Sequence, residues 1–186
     1  AGCGWEILPP QDIGLTLHVE ETGQTYAENA RRKAQGYARA SGLVALADDS
    51  GLEVDALGGA PGVHSARYAG QDTTDADKMG MLLAELREVP DERRTARFRA
   101  VIVIATPDGR TFQSEGVCEG RIAHAPRGAG GFGYDPIFLV EGGSRTMAEL
   151  SAEEKNRISH RARAAAACAV LQRLADERAD TAAASP

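Results

Sequence analysis

Apolar positions first recur at helical spacing just after Thr25, where Tyr26, Ala30, Ala34 and Tyr37 fall on one side of a helix. Thr25 and Glu28 have the spacing of a capping box, in which each side chain receives the other residue's backbone N–H, and Gly42 supplies the stop. The period then shortens. Leu43 to Ala47 is an apolar run that predicts a buried strand, with Asp48-Asp49-Ser50-Gly51 as the loop at its end. Leu52 to Leu57 predicts a second short strand, closed by the turn Gly58-Gly59-Ala60-Pro61-Gly62. From Asp75 to Glu88, Met79, Leu82, Leu83 and Leu86 share a helical face, and Pro90 ends it.

Ala96, Phe98 and Ala100 alternate with Arg97 and Arg99 before the unbroken run Val101-Ile102-Val103-Ile104. That pattern predicts one strand, half-exposed at its start and enclosed at its end. Pro107-Asp108-Gly109 is a turn signal, so a partner strand from about Arg110 to Cys118 completes a hairpin. A glycine-rich loop (Gly128, Gly130, Gly131, Gly133) leads into a strand from Pro136 to Val140. The last helix opens on a second capping box, Ser151 with Glu154, and carries Ile158, Ala162, Ala165, Ala169 and Leu174 along one stripe. Strands interleaved with helices predict an α/β fold on a mixed, twisted sheet.

Composition narrows the class of protein. A chain of 186 residues, 42% hydrophobic and 26% charged, suits one domain, taken as residues 1–179, with an Ala-rich disordered tail over 180–186. No apolar run of about 18 residues exists to cross a bilayer, and the first residues lack the pattern of a signal peptide. Cys3, Cys118 and Cys168 form no CxxC pair, which points to a reducing compartment and a cytoplasmic protein. The net charge of −6 argues against a nucleic-acid partner. A small anion remains possible if a cation bridges it to the acidic groups.

Four clusters carry candidate chemistry: Glu20-Glu21-Thr22-Gly23 with Glu28; Asp48-Asp49-Ser50-Gly51; Phe132-Gly133-Tyr134-Asp135; and Lys155 with Ser159-His160-Arg161. Taken singly, each has an ordinary structural explanation, such as a solvated loop, a helix cap or a surface lysine. Asp48-Asp49 is harder to explain so, because adjacent acids after an apolar strand repel unless a cation or hydrogen-bond donors compensate. Magnesium suits such a site, binding one or two carboxylates together with substrate phosphates. Phe132 either packs back on the core or offers its face to a purine. Neither glycine cluster has the dinucleotide or Walker A pattern, so those sites are not indicated.

In this order, ETGQTYAENA, LADDSGLEVDALGGAPGVHSARYAG, GGFGYDPIFLV and EEKNRISHR resemble the signature blocks of the inosine/xanthosine triphosphate pyrophosphatase family, from about Trp5 to about Leu174. The resemblance implies two lobes with a nucleotide cleft between them, a homodimer, and magnesium-dependent cleavage of ITP, dITP or XTP to the monophosphate and pyrophosphate. It gives Glu20 and Asp49 the magnesium, with Asp49 as proton acceptor, and makes Asp48 and Glu28 acidic support. Ser50 becomes a substrate contact, Lys33 and Lys155 phosphate contacts, and Phe132, Gly133, Tyr134, Asp135, His160 and Arg161 the elements that recognise the base. The family's pattern normally begins with a strand and a Thr/Ser-Gly-Asn-x-x-Lys loop that the chain as given does not contain. The alternative expectation is therefore a non-catalytic nucleotide-binding or dimerisation relative.

Overall fold

The computed structural model describes residues 5–165, 171, 173 and 174. The expected tail at 180–186, and Ala169 of the terminal stripe, lie outside them. The expected α/β class is what the structure shows: a four-stranded antiparallel sheet in the order β1-β2-β3-β4, with helices beside it. The strands are β1 (Ala45–Val54), β2 (Thr95–Ala105), β3 (Thr111–Ile122) and β4 (Phe138–Val140), and β4 pairs with β3 through Ile122 and Phe138. The helices are α1 (Tyr26–Ser41), α2 (Asp75–Glu85), α3 (Ala152–Ile158) and α4 (His160–Ala164). The chain divides into two compact units, the first drawn from Ala1–Asp48, Ile102–Ser114 and Ala165–Pro186, the second from Asp49–Val101 and Glu115–Ala164.

In the first unit, α1 forms as its caps require. Thr25 and Glu28 exchange backbone bonds, and Gly42 closes the helix at φ 69°. Ala30, Ala34 and Ala38 are buried along one face; on another, Gly36 lacks a side chain and lets an extended segment approach, with Val19 beside it and the Tyr37 hydroxyl donating to the Leu17 carbonyl at 3.0 Å. The second unit holds an apolar cluster with Leu52 and Val54 of β1, Leu82 of α2, Leu86 just past the end of that helix, Phe98 of β2 and Phe138 of β4 at its centre. Phe98 and Phe138 meet at 4.4 Å between ring centroids. Arg97, on the opposite side of β2 from Phe98, pairs with Asp55 at 2.9 Å and Glu119 at 3.1 Å.

Five expectations need correction. Asp48-Asp49-Ser50-Gly51 is not a loop, and Leu52 to Leu57 is not a separate strand, because β1 runs unbroken through Asp48 to Val54. Pairing with β2 satisfies the backbone there whatever the side-chain charge, and tertiary context overrides the low strand propensity of aspartate. Helix α2 stops at Glu85, short of Glu88. The strand expected from Pro136 begins at Phe138, after a 3-10 turn over Asp135–Ile137. The terminal helix breaks at Ser159, which is extended (φ −63°, ψ 153°) and whose hydroxyl accepts from the Ala162 amide at 3.2 Å, capping α4. The break also suits a close crossing, since a Cβ on Gly116 of β3 would lie 2.1 Å from the His160 carbonyl oxygen.

Candidate active site

Within the second unit, Asp49 stands in the middle of β1 with 8% of its surface exposed. Ser50 follows it, and its hydroxyl accepts from Arg161 Nη2 at 2.8 Å. Arg161 reaches it from the first turn of α4, so the Ser159 break fixes the direction from which the guanidinium arrives. Its Cζ also lies 5.4 Å from the centroid of the Phe132 ring. Lys155 Nζ, from α3, stands 4.7 Å over the same ring. Phe132 is 62% exposed and does not pack back on the core. An open aromatic face bounded by two cations results.

The loop that presents Phe132 is held by buried polar groups. Asp135, 3% exposed, accepts the Phe132 amide on Oδ2 at 2.9 Å and forms an ion pair with Lys155 through the same oxygen. Gly131 must be glycine, because its φ is +75° and a Cβ there would lie 2.0 Å from that oxygen. Tyr134 is 4% exposed and donates its hydroxyl to the Ser65 carbonyl at 3.0 Å, and burial pushes its phenol above the ordinary value. His160 is 6% exposed and stacks on Phe98 at 5.0 Å. Tyr134, Asp135 and His160 thus lie inside the unit and brace the loop and α4, while Phe132 and Arg161 present the open surface.

The first unit holds the other predicted residues. Glu20 is exposed. Lys33 pairs with Glu21 at 2.9 Å. Glu28 accepts the Gln24 and Thr25 amides, so it serves as the reciprocal half of the helix cap. Asp48 is half-buried near the start of β1. Among the described residues, no three His, Cys, Asp or Glu side chains gather into a metal-holding cluster.

Residues 3–170 match the model of the Ham1 family. The chain belongs to that family. The Ham1 relatives include the dITP/XTP pyrophosphatase of Geobacillus kaustophilus, 58% identical over 161 residues that span 87% of this chain and 79% of the relative. The dITP/XTP pyrophosphatase of Symbiobacterium thermophilum is 54% identical over 177 residues, spanning 94% of this chain and 85% of the relative. Among solved structures, the Staphylococcus aureus Ham1 protein superimposes with a TM-score of 0.80 at 43% identity, covering 91% of this chain and 85% of that one. A HAM1 protein from Coxiella burnetii gives 0.76 at 47% identity, over 86% and 80%.

Two parts of the candidate site have no counterpart among the residues singled out from sequence. Ser65 accepts the Leu52 amide at 2.9 Å and, through its own carbonyl, the Tyr134 hydroxyl, so the turn after β1 braces the aromatic loop. Asp75 accepts the Gly133 amide at 2.6 Å. Its carboxyl is held below the ordinary value by Lys78 and by that amide. A signal for Asp75 exists in the sequence: Thr74 and Asp77 form a capping box that places Asp75 at the first helical position of α2. Among the described residues, no helix is long and apolar enough to cross a membrane.

Proposed function

We propose that this Ham1 protein hydrolyses deaminated purine nucleoside triphosphates, ITP, dITP and XTP, to the monophosphate and pyrophosphate. The observation that carries the reading is one run of contacts: the exposed ring of Phe132, the Arg161 guanidinium 5.4 Å from its centroid, and Ser50 of β1, which accepts from Arg161 and follows the buried Asp49 along that strand. One side chain, Arg161, joins the exposed aromatic ring to the strand that carries a buried carboxylate. The names of the relatives, dITP/XTP pyrophosphatase, support the same substrate class.

In this reading Phe132 stacks on the purine, a contact that contributes about 1 to 3 kcal/mol. Arg161 donates to the 6-oxo group. Adenine presents an amino donor at that position, which would leave both donors unpaired, and this costs adenosine triphosphate affinity. Asp49 orients a water molecule and takes its proton as the water oxygen bonds to the α-phosphorus. The bond from the α-phosphorus to the bridging oxygen breaks, and pyrophosphate departs with its electron pair. Lys155 offsets charge on the anionic substrate.

Magnesium, when bound, neutralises phosphate oxygens. The donor chemistry suits it, because this ion takes one or two carboxylates and completes its shell with water and phosphate oxygens, so it needs no cluster of three protein ligands. Asp49 is the carboxylate of the second unit proposed to hold it. In the first unit, Glu20 and Lys33 keep the metal and phosphate roles that the family resemblance implies. Cysteine usage supports a cytoplasmic location, and the resemblance supports a homodimer.

The test is pyrophosphate release with magnesium from ITP, XTP, ATP and GTP side by side, for the wild type and for Asp49→Asn. Release from ITP and XTP that is lost on chelation and in Asp49→Asn is the expected result. Equal release from ATP would refute the base preference. Wild-type rates in Asp49→Asn would remove Asp49 from the chemistry, and no release from any nucleotide by folded protein would favour a non-catalytic relative.

A further inference from the structure

The stem and the tip of the aromatic loop are held by different means. At the stem, backbone bonds suffice: Arg127 N–H donates to the Pro136 carbonyl at 2.8 Å and Gly130 N–H to the Ala148 carbonyl at 3.1 Å. At the tip, two successive amides point at side-chain carboxylates. The Phe132 amide meets Asp135, and the Gly133 amide meets Asp75. Asp135 is three residues from Phe132 and closes the loop on itself, whereas Asp75 is 58 residues from Gly133 and belongs to α2. Leu82 of α2 and Leu86 at its C-terminal cap are fully buried in the core. A bond from Asp75 therefore ties the loop tip to a rigid reference.

The carboxylate is itself held in place. Lys78, one turn along α2, binds Asp75 Oδ1 at 2.6 Å and leaves Oδ2 for Gly133. Lys78 is largely buried, with 13% of its side chain exposed, so the pair is anchored on the helix and does not wave in solvent. The geometry points to Asp75 as a positioning residue for base recognition: it touches no substrate, and by holding the Gly133 amide it fixes the height and tilt of the Phe132 ring. This rests on the reading that Phe132 stacks on the base. The half-exposed carboxylate competes with water for the amide, so the effect is graded rather than all-or-none.

The experiment is a double-mutant cycle. Asp75→Ala and Phe132→Ala are made singly and together, and KM and kcat for ITP are measured with magnesium. Exchange of the Gly133 amide proton is followed by NMR in the same proteins, a readout independent of turnover. Asp75→Ala is expected to raise KM by about threefold to tenfold, with a smaller change in kcat, and to speed exchange at Gly133. Asp75→Asn, which keeps an acceptor oxygen, is expected to recover most of both. In the Phe132→Ala background, Asp75→Ala is expected to add no further rise in KM. Equal rises with and without Phe132 would show a general structural role and overturn the proposal. So would an unchanged KM or unchanged Gly133 exchange in Asp75→Ala while Phe132→Ala alone weakens binding. If Phe132→Ala itself leaves KM unchanged, the stacking reading fails first and the role of Asp75 falls with it.

Discussion

Replacing Asp135 with asparagine would test how the aromatic loop is held, because the change removes a charge at nearly constant shape. One oxygen, Oδ2, accepts both the Phe132 amide and the Lys155 ammonium, and the aspartate is 3% exposed. Hydrogen bonds to a charged group contribute about 1.5 to 3 kcal/mol, against about 0.5 to 1.5 for neutral ones. Two such bonds weakened together amount to about 2 to 3 kcal/mol. The Lys155 side chain is 20% exposed and keeps part of its hydration, which favours the lower end of that range. Asp135→Ala removes the acceptor altogether and strands both donors, so a loss of about 3 to 5 kcal/mol is expected. Urea unfolding at neutral pH, read from the midpoint at constant slope, measures both variants. A loss below about 0.5 kcal/mol in Asp135→Asn, or equal losses in the two variants, would refute the charge-assisted account. The KM for ITP should rise in the same order as the stability losses, because the loop that loosens is the one that presents Phe132.

Arg94 is 2% exposed and donates to the carbonyls of Ile122 at 2.9 Å, Leu86 at 2.7 Å and Ala123 at 2.9 Å, so Arg94→Leu strands three buried acceptors. A loss of about 3 to 5 kcal/mol is expected by urea unfolding, little of it recovered by Arg94→Lys, whose single ammonium cannot serve all three; a loss under about 1 kcal/mol would contradict this. Glu154, at the third position of α3, is lowered from 4.5 to about 2 by Arg145 and by Ser151. Its folded value lies below its unfolded one, so its contribution is complete above about pH 4.5 and is lost as pH falls through about 2. Amide exchange in the first turn of α3 should accelerate across that window in the wild type and show no such step in Glu154→Gln.

Local signals are legible in the sequence where the forces are local. Both capping boxes announced from sequence, at Thr25 and Ser151, form as spaced, and the alternation in β2 matches its burial residue by residue up to Ala100. The Pro107-Asp108-Gly109 turn joins β2 to β3 as expected. No local signal marks the Ser159 break, because its cap has no glutamate three residues on and a continuous apolar stripe through Ile158 and Ala162 looks the same with or without the kink. In the site, Phe132 is exposed with Arg161 beside it, while Tyr134 and His160 turn inward. Residue type does not distinguish these outcomes, since aromatic and imidazole rings serve equally in cores and in binding faces.

Sequence by itself determined the class of fold, the caps and turns, and the family, because each rests on spacing within a few residues or on blocks compared in order. Tertiary structure alone decided that Asp48 and Asp49 lie within a strand, since the partner that satisfies their backbone is β2, some fifty residues on. It alone decided that Asp75 meets Gly133 and Ser65 meets Tyr134, contacts 58 and 69 residues apart along the chain. Such contacts depend on how packed elements bring distant backbone together, and no local pattern of polar and apolar positions encodes that distance.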